Sequence, residues 1–376
     1  MKKLFVILVS LLLVFSMAGC TSKEEEPTPV EDETLKVAVL LPFIGDQSYF
    51  DTLNNGIIKA NETYAGKVEV KLYEVGNTTE QATWMAAFDE VCEDGEYDLV
   101  VSGNTSYEAF LYEACAKYPE QKFMNFDYAA LPEGGVPANC YCVNYALDDL
   151  GYAVGALSAA LTTTGTVGVV VGMDNKAMNQ FISGYVQVLA AEGVKYAIYY
   201  PGDFQDTTLG YEGTKKLIDA GADVIWQVAG GLGNGVIQAC AENENVWCVG
   251  VDQDQHVQFE TSHPDWAATV ITSALKKSDV VIVKVVGMLL DGTLGEKMGK
   301  AEAWGIVEDG VGIAENDFYK ENCPEEIRNK VTETLSAVVN GEVEVKDTLE
   351  MADYDTEWPA LRDANRVTID GLPVKE

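Results

Sequence analysis

Short, almost continuous apolar runs alternate along this chain with stretches whose apolar residues recur at helical spacing. Lys36-Val37-Ala38-Val39-Leu40-Leu41, Asp98-Leu99-Val100-Val101, Thr166-Val167-Gly168-Val169-Val170-Val171 and Asp223-Val224-Ile225-Trp226 are runs of the first kind. A half-exposed strand alternates apolar with polar residues, whereas a parallel strand covered by helices on both faces is apolar throughout. Between the runs, Tyr107, Phe110, Leu111, Ala114 and Cys115 mark one face of a helix. The repeated strand–helix order predicts α/β lobes, each built on a doubly wound parallel sheet.

The pattern occurs twice. Residues 68–127 and 194–252 share an order of elements and several residues at a constant offset of 125. Asp98 matches Asp223 at the opening of a strand, Ala114-Cys115 matches Ala239-Cys240 late in a helix, and Asp127 matches Asp252 just past a strand. In doubly wound sheets, ligands bind beyond the carboxyl ends of the strands. Two facing lobes would therefore set Asp127 and Asp252 on opposite walls of one cleft. After Asp252 the chain is expected to cross back to the first lobe through a long helix from about Thr272 to Leu290, with a further strand at residues 303–307. This gives lobe 1 as residues 35–145 plus about 254–305, lobe 2 as 146–253 plus about 306–360, and a tail over 361–376. Residues 324–339 read as an amphipathic helix.

The first residues have another character. Lys2 and Lys3 precede an apolar run from Leu4, which leads to Met17-Ala18-Gly19-Cys20 and the acidic stretch that follows. A basic start, an apolar segment and small residues before one cysteine form a secretory signal with a lipobox, so residues 1–19 are expected to be cleaved and Cys20 acylated. More than one acyl chain is needed for stable anchoring. Residues 20–34, acidic and containing Pro27 and Pro29, read as a solvated linker. The expected location is extracytoplasmic, on the bacterial cell membrane.

Without the leader the chain carries 23 Lys and Arg against 60 Asp and Glu, a net charge of −37. Such a surface repels nucleic acid and anionic headgroups, so membrane contact is expected through the lipid anchor alone. The seven remaining cysteines lie mostly in apolar runs and are read as small hydrophobes in the core. Cys140 and Cys142 are read in the same way, on opposite faces of a short strand, and not as a metal pair.

Six segments in order carry a resemblance. They are Gly45-Asp46-Gln47-Ser48-Tyr49-Phe50-Asp51 with Gly56; Ala116-Lys117-Tyr118-Pro119 leading to Asp127; Gly172-Met173-Asp174; Val228-Ala229-Gly230-Gly231; Gly250-Val251-Asp252-Gln253-Asp254-Gln255; and Thr272-Ser273-Ala274-Leu275-Lys276-Lys277. With the lipobox, the chain resembles the basic membrane protein family of bacterial substrate-binding lipoproteins, which includes purine nucleoside receptors of ATP-binding-cassette (ABC) importers. The resemblance implies an α/β periplasmic-binding-protein type I fold, with two doubly wound parallel-sheet lobes joined by a multi-strand hinge. It also implies a monomeric receptor without a cofactor, a nucleoside in the cleft, and an ABC permease as partner.

A carboxylate only accepts hydrogen bonds, which suits a ligand rich in hydroxyl donors. Asp127 and Asp252 are the candidates for the ribose, although an aspartate after a strand also serves as a helix cap or turn former. The resemblance adds Lys276, near the start of the helix after the crossover, as a ribose donor balancing Asp252, and Phe204 as a stacking ring; Gly230 and Gly231, just after a strand, invite a close backbone approach, although glycine clusters also simply make turns. Asp46, Tyr49, Phe50 and Asp51 belong to the loop that faces the base. Phe50 departs from the family, which has asparagine there. Losing that amide removes a donor and an acceptor, and so leaves open both the base and the nucleoside assignment.

An enzyme lacks its parts in this sequence. The glycines at 230–235 put Val236 where a dinucleotide loop needs its third glycine, and Val257 stands where a calcium loop beginning at Asp252 requires glycine. A receptor of the same fold for a sugar, a riboflavin-like vitamin or a signalling molecule stays open, as does a sensory surface lipoprotein without a transporter.

Overall fold

The computed structural model describes residues 34–372, and the leader, Cys20 and nearly all of the acidic linker lie outside them. Two six-stranded sheets form the body. In the first, β1 (Leu35–Leu41), β2 (Val68–Glu74), β3 (Leu99–Ser102), β4 (Phe123–Phe126) and β5 (Cys140–Tyr145) are joined by β11 (Lys300–Trp304), in the order β2-β1-β3-β4-β5-β11. All of its pairings are parallel. In the second, β6 (Thr166–Val171), β7 (Lys195–Tyr199), β8 (Val224–Val228), β9 (Trp247–Asp252) and β10 (Val270–Lys276) are joined by β12 (Val311–Ile313), in the order β7-β6-β8-β9-β10-β12. Only β12 runs antiparallel there. The central strands are buried along almost their whole length, as expected for sheets covered on both faces.

The chain crosses between sheets three times: after β5, after β10, and between β11 and β12. The second crossing corrects the expected boundary. Residues 254–276 do not return to the first lobe, because β10 pairs in parallel with β9, Ala274 opposite Val251 and Leu275 opposite Asp252. The expected helix from Thr272 is a strand to Lys276, and the helix is Ser278–Asp291. An apolar run buried on every side fits either element by pattern alone; pairing with β9 decides it. Likewise the strand expected at 303–307 ends at Trp304, and Gly305 turns the chain toward β12.

Helix Glu325–Val339 packs against helix Leu147–Leu161. The tail from residue 361 packs too, as Val367 N donates to Tyr196 O at 2.8 Å and Leu372 is buried in the second lobe. Cys140 and Cys142 also need correction. Residues two apart on a strand share a face, and their sulfurs lie 3.8 Å apart in one apolar cluster.

The duplicated aspartates have equivalent structural roles. Asp98 Oδ2 accepts from Lys36 N at the start of β1, and Asp223 accepts from Thr163 N and Thr164 N just before β6, so each fastens the beginning of the first strand of its sheet. Asp127 and Asp252 both adopt left-handed backbone, with φ of 82° and 65°. Aspartate tolerates that conformation better than most residues, and two such turns swing the chain off the sheets at matching places.

Candidate functional site

A cavity of about 210 Å³ lies between the carboxyl ends of the two sheets. Asp127 reaches it from β4 of the first lobe, and Asp252 and Lys276 from the neighbouring strands β9 and β10 of the second. Lys276 Nζ lies 2.7 Å from Asp127 Oδ1, so the pair spans the lobes. Lysine was expected to balance Asp252; its direct partner is Asp127, because β10 ends facing the first lobe. The ammonium is buried and sits 4.5, 5.0 and 5.6 Å from the ring centroids of Tyr49, Tyr145 and Phe181. Aromatic faces and a carboxylate together replace its water.

Asp252 accepts from Ser48 Oγ, a second contact between lobes. Burial pushes its carboxyl up to about 6, while Lys276 and the Ser48 hydroxyl oppose that rise and Asp46 and Asp127 add to it. Once ionised, a carboxylate in a dry cleft is a strong acceptor for hydroxyl donors.

The loop after β1 builds the adjoining wall. Asp46 accepts from the N–H groups of Ser48, Phe50 and Asp51, each at 3.0 Å, and so satisfies free donors at the start of helix Tyr49–Thr63. Its carboxyl is still raised, because burial outweighs those three bonds. Asp51 does not line the cavity. Its oxygens accept from Gly45 N and Gln47 N at 2.6 and 2.9 Å, which makes it a brace of the loop. Tyr49 donates to Phe126 O at 3.2 Å and offers its ring to Lys276. Phe50 lines the cavity and packs edge-on to Phe43 and Tyr49, at 5.2 and 5.3 Å between centroids.

Across the cleft, Phe204 lines the cavity from the loop after β7. Its ring rests on Gly172, where a Cβ would fall 2.2 Å from a ring carbon. Gly230, at φ 57°, and Gly231 begin a short turn in which Leu232 N donates to Phe204 O at 2.9 Å. A Cβ at Gly231 would meet Asp46 O of the other lobe at 3.4 Å. These glycines line the cavity and also seat the aromatic loop.

Sequence reasoning missed Ser48, Tyr145, Phe181, Phe43 and Gln180. Ser48 stood inside a quoted motif; its hydroxyl contact depends on the other lobe. Tyr145 and Phe181 looked like ordinary core residues, and nothing local distinguishes a core ring from one beneath a buried lysine. Among the described residues, no group of three or more His, Cys, Asp or Glu is placed to hold a metal ion, and no helix is long and apolar enough to cross a membrane.

Known proteins share both fold and sequence. A solute-binding protein of an ABC transporter system from Aeropyrum pernix K1 superposes with a TM-score of 0.72 at 23% identity, over 88% of this chain and 98% of its own. Basic membrane protein D of Borreliella burgdorferi (strain JD1) is 25% identical over 92% of this chain and 95% of its own. The ABC transporter nucleoside-binding protein BmpA of Lactococcus lactis subsp. cremoris is 24% identical over 90% and 96% respectively. The family described as ABC transporter substrate-binding protein PnrA-like (Bmp) matches residues 34–348. That match runs from β1 through the cleft to beyond the third crossing, and the chain belongs to this family of ABC transporter substrate-binding proteins.

Proposed function

We propose that this protein binds a nucleoside between its lobes and presents the closed form to an ABC permease, while acyl chains on Cys20 hold it at the membrane surface. One observation carries the reading: two carboxylates and an ammonium from both lobes meet in a small cavity whose remaining wall mixes aromatic rings with amide and hydroxyl side chains. Ribose hydroxyls match the charged set as donors to Asp127 and Asp252 and acceptors from Lys276, and a flat base matches the rings. The nucleoside-binding name of the Lactococcus lactis relative supports the same reading. Closure belongs to the same proposal: a ligand touching both walls binds the closed state better and shifts the population toward it.

Calorimetric titration with guanosine, inosine, adenosine, cytidine and uridine tests the ligand class; absence of binding to all five would sink the nucleoside reading and spare the receptor. Asp252→Ala is expected to weaken binding by about ten- to a hundredfold, the worth of hydrogen bonds to a charged group. Its melting temperature at neutral pH should equal or exceed the parent's, because a buried carboxyl with a raised pKa costs stability once ionised. Unchanged affinity in that variant refutes the site. For the anchor, Cys20→Ser should lose incorporated palmitate and leave the membrane fraction.

A further inference from the structure

The cleft wall repeats one recognition device. In the first instance Lys276 supplies a cation, Tyr49 and Tyr145 supply ring faces, and Asp127 supplies a carboxylate at 2.7 Å. Elsewhere in its lining the same cavity holds three further rings, Phe43, Phe50 and Phe204, and a further carboxylate, Asp46. No cation completes this second set. Among the described residues, no lysine, arginine or histidine forms an ion pair with Asp46. The cavity lining holds Asp46, Asp127 and Asp252 against a single basic residue, Lys276, which Asp127 already engages.

We infer that the second position is built for a positively charged heteroaromatic ring, so that the ligand is a nucleoside with an N-alkylated, cationic base in preference to its neutral parent. This inference rests on the nucleoside reading and names the class of base within it. Phe50 is central to it. Phenylalanine reads no hydrogen bond on a base edge, but its ring face, like those of Phe43 and Phe204, attracts a cation through the aromatic quadrupole. Asp46 has three backbone N–H partners and a carboxylate accepts about four, so one acceptor position remains for an amine on the base. Enclosure strengthens these terms relative to water, and the net charge of −35 on the full chain draws cations toward the cleft. The same carboxylates disfavour a phosphorylated ligand. A nucleotide-dephosphorylating reaction must therefore act before uptake.

The test compares 1-methyladenosine with adenosine, and 3-methylcytidine with cytidine, by titration calorimetry at neutral pH, where the methylated member of each pair is a cation. The cationic member should bind about tenfold more tightly, within the range of a desolvated cation–π contact, and the ratio should shrink as salt is raised. Asp46→Asn and Phe50→Leu should each bring the ratio toward one. The second variant keeps the apolar bulk and leaves the loop's hydrogen bonds alone, so it remains informative if the first fails to fold. Equal or tighter binding of the neutral parents overturns the inference and leaves the nucleoside reading standing. Binding of no nucleoside, charged or neutral, overturns both.

Discussion

The raised carboxyl of Asp252 makes this residue a gauge of the site. An acceptor of ligand hydroxyls must be ionised, and burial holds the group protonated until about pH 6. Affinity should therefore be constant well above that value and fall as pH drops through about 6, by at most tenfold per pH unit. In Asp252→Asn the affinity is lower throughout and this slope disappears; a slope that persists assigns the titration to another group. The residue was legible as a site candidate because Asp127 and Asp252 recur at one offset. Its partner was not, since Ser48 lies 204 positions away on the other lobe. Asp51 shows the opposite failure: a carboxylate in the right motif spends its oxygens on the backbone of its own loop.

Between elements, a close helix–helix contact holds up the cavity-lining ring of Phe181. Helix Leu147–Leu161 lies against helix Lys176–Ala191 with their backbones almost touching. A Cβ at Gly151 would fall 1.9 Å from Phe181 O, and backbone offers no easy relief. Gly151→Ala should therefore destabilise the protein by about 2–3 kcal/mol, in the range of overpacked cores. It should also weaken ligand binding, because Phe181 lines the cavity and flanks Lys276. A thermal melt together with one titration checks this, and an unshifted melt disproves the packing argument. Element type followed readily from hydrophobic period where helices were amphipathic, as in Glu325–Val339. It failed at β10, where burial on every side erases the period and leaves strand and helix alike.

At the scale of the whole molecule, the two lobes are fastened around the cavity by polar contacts from one short loop. Gln47 Oε1 accepts from Asn234 Nδ2 at 2.7 Å, Gln47 O accepts from Gln258 Nε2 at 3.2 Å, and Ser48 reaches Asp252 beside them. Gln47 does not line the cavity, so in the proposed mechanism it acts on the ligand only through closure. Gln47→Ala should raise the ligand dissociation rate by about three- to tenfold, the worth of one lost amide hydrogen bond, with little change in association. Stopped-flow fluorescence measures both rates, and an unaltered dissociation rate removes Gln47 from the closing mechanism.

Local chemistry was enough to determine the α/β class, the duplicated plan, and the two equivalent aspartates, because sheet burial and turn geometry are written in residues close along the chain. The tertiary structure alone decided which sheet receives β10, which carboxylate Lys276 meets, and which rings enclose it. Those outcomes depend on groups brought together from distant segments by pairing and packing. A pattern read along one dimension does not contain them until the three crossings set the lobes face to face.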